Sequence, residues 1–441
     1  MASQKLAVLV LAAGKSTRMK SSLSKVLHPV GGRALIGHVL AMAADLAPAQ
    51  TFVVVGKDMD QISDAIAPTP SIIQDPPKGT GHAVQCARDA LSSFTGKVLV
   101  VYGDTPLLLA GTIQAMLEVE ADVVVLGFRP EDTAAYGRLK VGKNNTLDAI
   151  IEFADDDKKQ RANILCNSGV MMLTSPSCWA QLDLLRDDNK KGELYLTDIV
   201  EITNGQGGRC VVVEADADEL LGVDSREDLA KAEAIFQQRM RAQALQSGVS
   251  LQDPSSVYFA FDTQLGRDVT VAPHVVFGPG VTVEDGVAIE AFSHIEGAHI
   301  GTGSRIGPFA RLRPGADIGR DVHIGNYVEV KKSRIDDGAK ANHLAYIGDA
   351  HVGAATNIGA GTITANYDGF NKHKTIIGAG VSVGSNTVLV APVSIGDGAL
   401  IGAGSTITED VPKDDLVVVR ADRKDVKGGG ERFRAARKKD K

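Results

Sequence analysis

Two stretches of this chain hold residues whose types and spacing suit chemistry. The first is Leu11-Ala12-Ala13-Gly14-Lys15-Ser16-Thr17-Arg18-Met19, directly after an apolar run, with Lys25 close behind. Small residues at 12–14 let backbone N–H groups approach a phosphate or a base, and Arg18 and Lys25 supply positive charge. The second is residues 331–374, where His343, Tyr346, Asn357, Asn366, Tyr367 and several lysines gather in an otherwise aliphatic, glycine-rich region. A local departure from a strong pattern tends to mark a working site.

The elements that must position the first group alternate. Leu6–Leu11, Thr51–Val55, Val98–Tyr102 and Val123–Leu126 read as buried strands, being short, Val-rich and followed by Gly or polar residues. Ala34–Leu46, Gly81–Leu91 and Thr112–Glu120 read as the helices between them, which predicts a mostly parallel, doubly wound α/β sheet with ligands at the C-terminal strand ends. Asp224–Ser247 reads as one amphipathic connecting helix, with Leu229, Ala232, Phe236, Met240 and Ala244 on one face.

The second group sits in a different periodicity. Leu265, Val271, Phe277, Val283, Ile289 and Ile295 recur every six residues. The frame resumes as Ile300, Ile306, Leu312, Ile318, Ile324 and Val330, and again from Ile377 to Ile407. So many hexads in frame specify a parallel β-helix, three hexads to a triangular coil, with aliphatic side chains pointing inward. The pattern breaks between Lys331 and Lys374, and Asn366–Lys374 reads as a loop extruded from the coil. Arg420–Lys441 carries ten Lys or Arg against four acids and reads as a mobile basic tail. The domains expected are 1–223, a linker helix 224–248, the β-helix 249–420 and the tail 421–441.

Composition bounds the rest. With 441 residues, 44 % of them hydrophobic, the chain has room for two or three domains with substantial cores. A net charge of −7 argues against non-specific binding to nucleic acid or an anionic membrane. Cys86, Cys166, Cys178 and Cys210 form no CxxC pair and no zinc spacing with His, as expected of reduced structural thiols. No run approaches a membrane span and the N-terminal apolar stretch lacks a cleavage site, so the chain is expected to be soluble and cytoplasmic.

The motifs stand in a familiar order. The Leu-Ala-Ala-Gly loop, Thr17-Arg18-Met19 and Lys25-Val26-Leu27 resemble the signature of sugar-1-phosphate nucleotidyltransferases. Gln74 with Gly79-Thr80-Gly81-His82 resembles that family's uridine-reading segment, and Tyr102-Gly103-Asp104 the end of its metal-binding strand. Tyr136-Gly137-Arg138, Glu152, Asn167 and Gly222-Val223-Asp224 follow in the order in which the family contacts sugar and metal. Pro308–Gly315, Lys331-Lys332, His343–Tyr346, Asn357–Thr362 and Asn366–Gly369 extend the likeness over nearly the whole chain. It then resembles the bifunctional N-acetylglucosamine-1-phosphate uridylyltransferase / glucosamine-1-phosphate N-acetyltransferase family.

That resemblance implies a Rossmann-like nucleotidyltransferase domain, a linker helix and a left-handed parallel β-helix of hexapeptide repeats, assembled as a homotrimer with active sites between subunits. It implies acetylation of glucosamine-1-phosphate by acetyl-CoA, followed by UMP transfer from UTP with loss of pyrophosphate, all on small-molecule substrates. Arg18 and Lys25 would neutralise phosphates. Leu11, Ala12, Ala13, Gly14, Lys25, Gln74, Gly79, Thr80, Tyr102, Gly103, Asp104, Gly137, Glu152, Asn167 and Asp224 would bind UTP or UDP-N-acetylglucosamine, with Asp104 and Asp224 on Mg²⁺. His343 would be the general base of acetyl transfer. Arg313, Lys331, Tyr346 and Asn357 would hold glucosamine-1-phosphate, and Ala360, Asn366, Tyr367, Ser385, Ala403 and Arg420 acetyl-CoA.

Simpler readings remain for single residues. Asp104 before Thr105-Pro106 can open a turn, Asp224 with Glu227 three residues on can cap a helix, and His343 can be a solvated corner. A nucleotidyltransferase whose β-helix is only a regulatory or assembly domain, or a non-enzymatic trimeric scaffold, are the alternatives for the whole. Ser16, Ser24 and Asp224 depart from the family's usual Gly, Pro and Asn. The last keeps an oxygen ligand and adds negative charge at the metal.

Overall fold

A computed structural model describes residues 5–14, 17–133, 136–153 and 164–437, so Lys15 and Ser16 of the first loop lie outside the described residues. The chain divides into two compact units, Met1–Arg239 and Met240–Lys441.

In the first unit the strands are β1 Leu6–Leu11, β2 Gln50–Gly56, β3 Ser71–Gln74, β4 Gly96–Tyr102, β5 Val123–Phe128, β6 Arg138–Val141, β7 Leu147–Ile151, β8 Cys166–Ser175 and β9 Cys210–Glu214. The main sheet runs β9-β5-β8-β4-β1-β2-β3, with the β6–β7 pair attached to β8. Every residue of β1 is buried, as continuous apolar runs require when helices cover both faces of a sheet. The chain builds outward from β1 to β2 and β3, then returns to the other side of β1 as β4. Both neighbours run parallel to β1, so the strand order reverses between β1 and β4. Gly103 N donates to Leu11 O at 3.0 Å, which holds the two emerging loops together at that point.

Two features differ from the sequence expectation. β8 runs antiparallel between β4 and β5, so the sheet is mixed at its middle. The helix expected over Gly81–Leu91 spans only Thr80–Gln85. Ala87 N bonds to Val84 O, Arg88 N to Gln85 O and Phe94 N to Leu91 O, so residues 86–94 continue as tight i→i+3 turns.

The long helix Arg226–Gln246 appears as expected. Leu229, Ala232 and Phe236 pack with Val30, Leu35 and Leu107 of the first unit, and Met240 and Ala244 belong to the core of the second. Its cap is Ser225 and not Asp224. Asp228 Oδ2 accepts from Ser225 N (2.9 Å) and Ser225 Oγ (2.7 Å), and Asp228 N donates to Ser225 Oγ (3.2 Å), a capping box. The Asp224 carboxylate is therefore not spent on the helix.

The second unit is a three-sided parallel β-helix, its two- to four-residue strands stacked into sheets of ten, eight and eight. Thr270 pairs with Ala288 and Ala288 with Arg305, one coil apart each time. The inward residues form one continuous core from Val271 to Ile407.

The hexad pattern breaks between Lys331 and Lys374, but the coil itself does not. Ile335, Ala341, Ile347, Val352, Ile358 and Thr364 continue the buried column. Five-residue steps from Val330 to Ile335 and from Ile347 to Val352 throw the frame, and Ala341 and Thr364 hide it by not being large aliphatics. Thr364 Oγ1 accepts from Gly348 N at 2.8 Å, which satisfies the buried hydroxyl. Only the segment after Ala365 leaves the coil. It delays the partner of Ala350 to Thr375, whereas Ala298 meets Ala316. The basic tail carries a helix, Gly429–Arg437, with no buried residue, where the sequence suggested no regular structure.

Coils this close leave no room at some corners. A Cβ on Gly325 would sit 1.9 Å from Asn342 O of the next coil. Gly325→Ala is expected to cost about 1–3 kcal/mol or more in denaturant unfolding. Unchanged stability would contradict the coil spacing.

Two candidate active sites

At the β1–β4 switch point lies a cavity of about 460 Å³. Its walls include Leu11, Ala12, Ala13, Gly14, Lys25, Gln74, Gly79, Thr80, Tyr102 and Asp104, ten of the residues expected from the sequence to meet the nucleotide. Gly79 needs its left-handed backbone (φ 103°), and a Cβ there would lie 2.6 Å from Leu194 O. The 78–81 turn is pinned to the 194–196 segment by Gly81 N→Leu194 O (2.8 Å), Leu194 N→Lys78 O (2.8 Å) and Leu196 N→Thr80 Oγ1 (3.0 Å). The sequence reading did not single out residues 193–196, which close this wall from far along the chain.

The charges at the mouth converge on one ammonium. Lys25 Nζ bonds the Asp104 carboxylate and lies 2.6 Å from Asp224 Oδ1, while Arg18 reaches Asp224 Oδ2 at 3.0 Å. Burial disfavours the Lys25 charge, but Asp104 and Asp224 outweigh it and raise the pKa. Burial likewise pushes the Asp104 carboxyl up, against the pull of Lys25. Val223 N donates to Asp104 O at 2.9 Å, so the backbone itself brings the two carboxylates together. No cluster of three or more His, Cys, Asp or Glu suited to a metal occurs among the described residues. Two carboxylates already sharing one cation nevertheless fit Mg²⁺, which takes one or two protein carboxylates and completes its shell with water and phosphate.

Gly103 packs under this mouth, where a Cβ would meet Val26 and Ala12 at 3.2 and 3.4 Å. Gly137, Glu152 and Asn167 form a neighbouring group at the ends of β6, β7 and β8. Asn167 N donates to Gly137 O (2.9 Å), and Thr197 Oγ1 donates to Glu152 Oε1 (3.0 Å).

In the β-helix, His343 sits on an outer corner. Its Nδ1 faces Asn326 Oδ1, an acceptor, at 2.7 Å, so in the neutral ring the proton sits on Nδ1 and Nε2 carries the lone pair. Strand pairing sets this contact, since Asn326 and His343 are register partners in successive coils. A cavity of about 350 Å³ adjoins them, with Arg305 and His323 on its wall.

The same corner explains the positions expected to meet acetyl-CoA. In successive coils its left-handed residue is His274, Phe292, Phe309, Tyr327 and Leu344, then Gly361, Asn386 and Gly404. The rings from His274 to Tyr327 stack 4.8–5.1 Å apart and stand exposed, Phe292 at 52 % and Tyr327 at 57 %. Past Leu344 the rings give way to Gly361, Asn386 and Gly404. Ala360, Ser385 and Ala403 precede these three, as His343 precedes Leu344, and the Arg420 side chain lies over Gly404, 3.7 Å from the position of a Cβ. Asn357 is exposed on the strand above Lys340, in the sheet that contains His343.

Arg313 and Lys331, expected from the sequence to meet the sugar phosphate, lie along the next face. Arg313 donates to Glu329 Oε1 at 2.7 Å and is held charged by it. Lys331 crowds Lys372, lowering the Lys372 pKa by a direct ammonium contact. Two like charges so placed call for an anion. Lys372 was not among the residues expected from the sequence, because only the folded loop returns it to Lys331. Tyr346 points its hydroxyl to within 2.4 Å of where a Gly348 Cβ would be.

The extruded loop is internally built. Asp368 Oδ1 accepts from Phe370 N (2.8 Å) and Asn371 N (2.6 Å), and its Oδ2 pairs with His373 Nε2 at 2.7 Å. These bonds hold its pKa at about 2. Asn366 donates to Asp349 Oδ2 at 2.5 Å, and the Tyr367 hydroxyl donates to Gly369 O at 2.6 Å.

Comparison with known proteins follows the same division. A MobA-like NTP transferase domain matches residues 8–201, and the bacterial transferase hexapeptide (six repeats) matches 297–332 and 374–409. The interval between the two hexapeptide matches is the one holding His343, Tyr346 and the loop. The bifunctional protein GlmU of Paramagnetospirillum magneticum is 54 % identical, with 99 % of this chain and 98 % of the relative covered. That of Rhodospirillum rubrum is 51 % identical over 98 % of both. At such identity over nearly full length, the chain belongs to the GlmU family of bifunctional uridylyltransferase–acetyltransferases.

Proposed function

We propose that the second unit acetylates glucosamine-1-phosphate with acetyl-CoA, and that the first then joins the product to UMP from UTP, releasing pyrophosphate and UDP-N-acetylglucosamine. The observation that carries this reading is His343, oriented by Asn326, beside a corner where the stacked rings end and Gly361 and Gly404 appear. A β-helix serving only assembly has no use for either.

In acetyl transfer, Nε2 of His343 takes the proton as the substrate amine attacks the thioester carbonyl and CoA leaves as the thiol(ate). Arg313, Lys331 and Lys372 hold the sugar phosphate, Tyr346 and Asn357 the sugar hydroxyls. Acetyl-CoA lies along the corner at Ala360, Ser385 and Ala403, with Asn366, Tyr367 and Arg420 at its sides. The exposed ring ladder from Phe292 to Tyr327 supports a homotrimer, with each active site completed by a neighbour.

In uridylyl transfer, the phosphate oxygen of N-acetylglucosamine-1-phosphate attacks the α-phosphorus of UTP in line. Leu11–Gly14 present backbone to the phosphates, Arg18 and Lys25 neutralise them, and Gln74, Gly79 and Thr80 face the base. Tyr102 and Gly103 shape the floor, and Gly137, Glu152 and Asn167 receive the sugar. Asp104 and Asp224 would hold Mg²⁺, whose charge would offset that developing on the phosphates. Free cysteines and charged co-substrates agree with a cytoplasmic enzyme, and no helix among the described residues is long and apolar enough to cross a membrane.

Glucosamine-1-phosphate, acetyl-CoA, UTP and Mg²⁺ supplied together, with CoA and pyrophosphate followed separately, test the reading. Pyrophosphate from N-acetylglucosamine-1-phosphate without any CoA release would favour the structural β-helix instead. His343→Ala is expected to lower acetyl transfer by about 10²-fold or more and spare uridylylation, and Asp104→Ala to do the reverse. Either variant stopping both reactions in folded protein would refute separate sites. Lys372→Ala should raise KM for glucosamine-1-phosphate by about tenfold, the scale of one charged hydrogen bond, with a smaller effect on kcat. Asp224→Asn should raise the half-saturating Mg²⁺ for pyrophosphate release by about threefold or more, since it removes one negative charge. No change would mean that Asp224 does not meet the metal.

A further inference from the structure

Behind the wall of the nucleotide cavity, three side chains stand in line: Gln74, His82 and Cys86. Gln74 is only 4 % exposed and faces the cavity. Its Nε2 donates to Gly79 O at 2.9 Å. A backbone carbonyl can only accept, so this bond fixes which end of the amide is which. The same Nε2 faces His82 Nδ1 at 3.3 Å. An NH₂ group offers two hydrogens, so Nδ1 must meet the second with its lone pair. The imidazole proton then lies on Nε2, toward Cys86 Sγ at 3.8 Å. His82 and Cys86 are one helical turn apart, and Cys86 N donates to His82 O at 3.0 Å, which keeps the two side chains on one face. Burial and the nearby Lys78 both lower the His82 pKa, favouring the neutral ring that this arrangement needs.

We propose that His82 is a positioning residue for base selection, holding the Gln74 amide so that Oε1 faces the cavity as an acceptor. No donor among the described residues is found on Oε1. A pyrimidine with N3–H, such as uracil, supplies one, whereas cytosine presents a lone pair at N3 and meets Oε1 acceptor to acceptor. Without His82, Gly79 O alone holds the amide, so Gln74 turns its NH₂ toward the base more readily and admits cytosine. The inference rests on the reading of this cavity as the UTP site and adds what sets its selectivity.

The test compares kcat/KM for UTP and CTP in the parent, His82→Leu, His82→Asn and Gln74→Leu. His82→Leu is expected to lower the UTP:CTP preference by about tenfold or more, since an oriented buried amide is what rejects the wrong edge. Asn at 82 keeps an acceptor oxygen and should restore much of the preference. The double variant His82→Leu/Gln74→Leu should lose little more than Gln74→Leu alone, because the two act as one unit. If Gln74→Leu loses the preference and His82→Leu keeps it, the His82 proposal falls while the site stands. Equal loss of UTP and CTP turnover with the preference intact would make His82 merely structural, and loss without rescue by Asn would also overturn the proposal. Parent-like preference in Gln74→Leu would instead overturn the reading of the base wall itself.

Discussion

Each coil of the β-helix must turn three corners, and at these corners side-chain-bearing residues are forced into left-handed backbone that most residues avoid. Phe292, Phe309, Tyr327 and Leu344 all pay this cost at one edge, with φ between 49° and 61°. The groups proposed to serve acetyl transfer hang on that constraint. A left-handed residue points its side chain along the edge, so like residues stack from coil to coil. The residue before it points outward, where His343 meets Asn326. Where the ladder changes from rings to Gly361, Asn386 and Gly404, the edge continues beyond His343 without the stacked aromatics. Core packing supplies stability, but the corner decides where chemistry is possible.

The first unit solves a different problem, that of holding phosphates with few fixed charges. Reversal of strand order at β1 leaves two loop ends side by side, and one backbone bond from Val223 to Asp104 adds a third segment. Lys25, Arg18, Asp104 and Asp224 then sit within reach of each other, two cations against two carboxylates. Such a set is balanced within itself. Under the proposed function, incoming phosphates would attract the cations and leave the carboxylates to a metal, so nucleotide and metal would favour each other's binding through Lys25. The Asp224 carboxylate is met by Arg18 on one oxygen and Lys25 on the other, which keeps its charge paired.

Much of this was legible before folding. The hexads marked the inward column, and the alternation of Val-rich runs with helices marked the sheet, because burial imposes those periods directly. The short steps at Ile335 and Val352 were not legible, since Ala341 and Thr364 can occupy the buried column without looking like core. The cap of the long helix was misplaced by one residue, as Ser225-x-x-Asp228 uses Asp where Glu is the commoner partner. The antiparallel β8 carried no local signal of direction.

The sequence by itself determined the two architectures and the inventory of reactive groups, because periodicity and local motifs depend on neighbours a few residues away. Tertiary structure alone decided which of those groups face one another. Lys25 meets Asp224 from 199 positions away, and Lys372 meets Lys331 only because the extruded loop turns back on Asp368. Charge pairing, tautomer and amide orientation depend on atoms in contact, and contact between distant residues exists only once the backbone has closed.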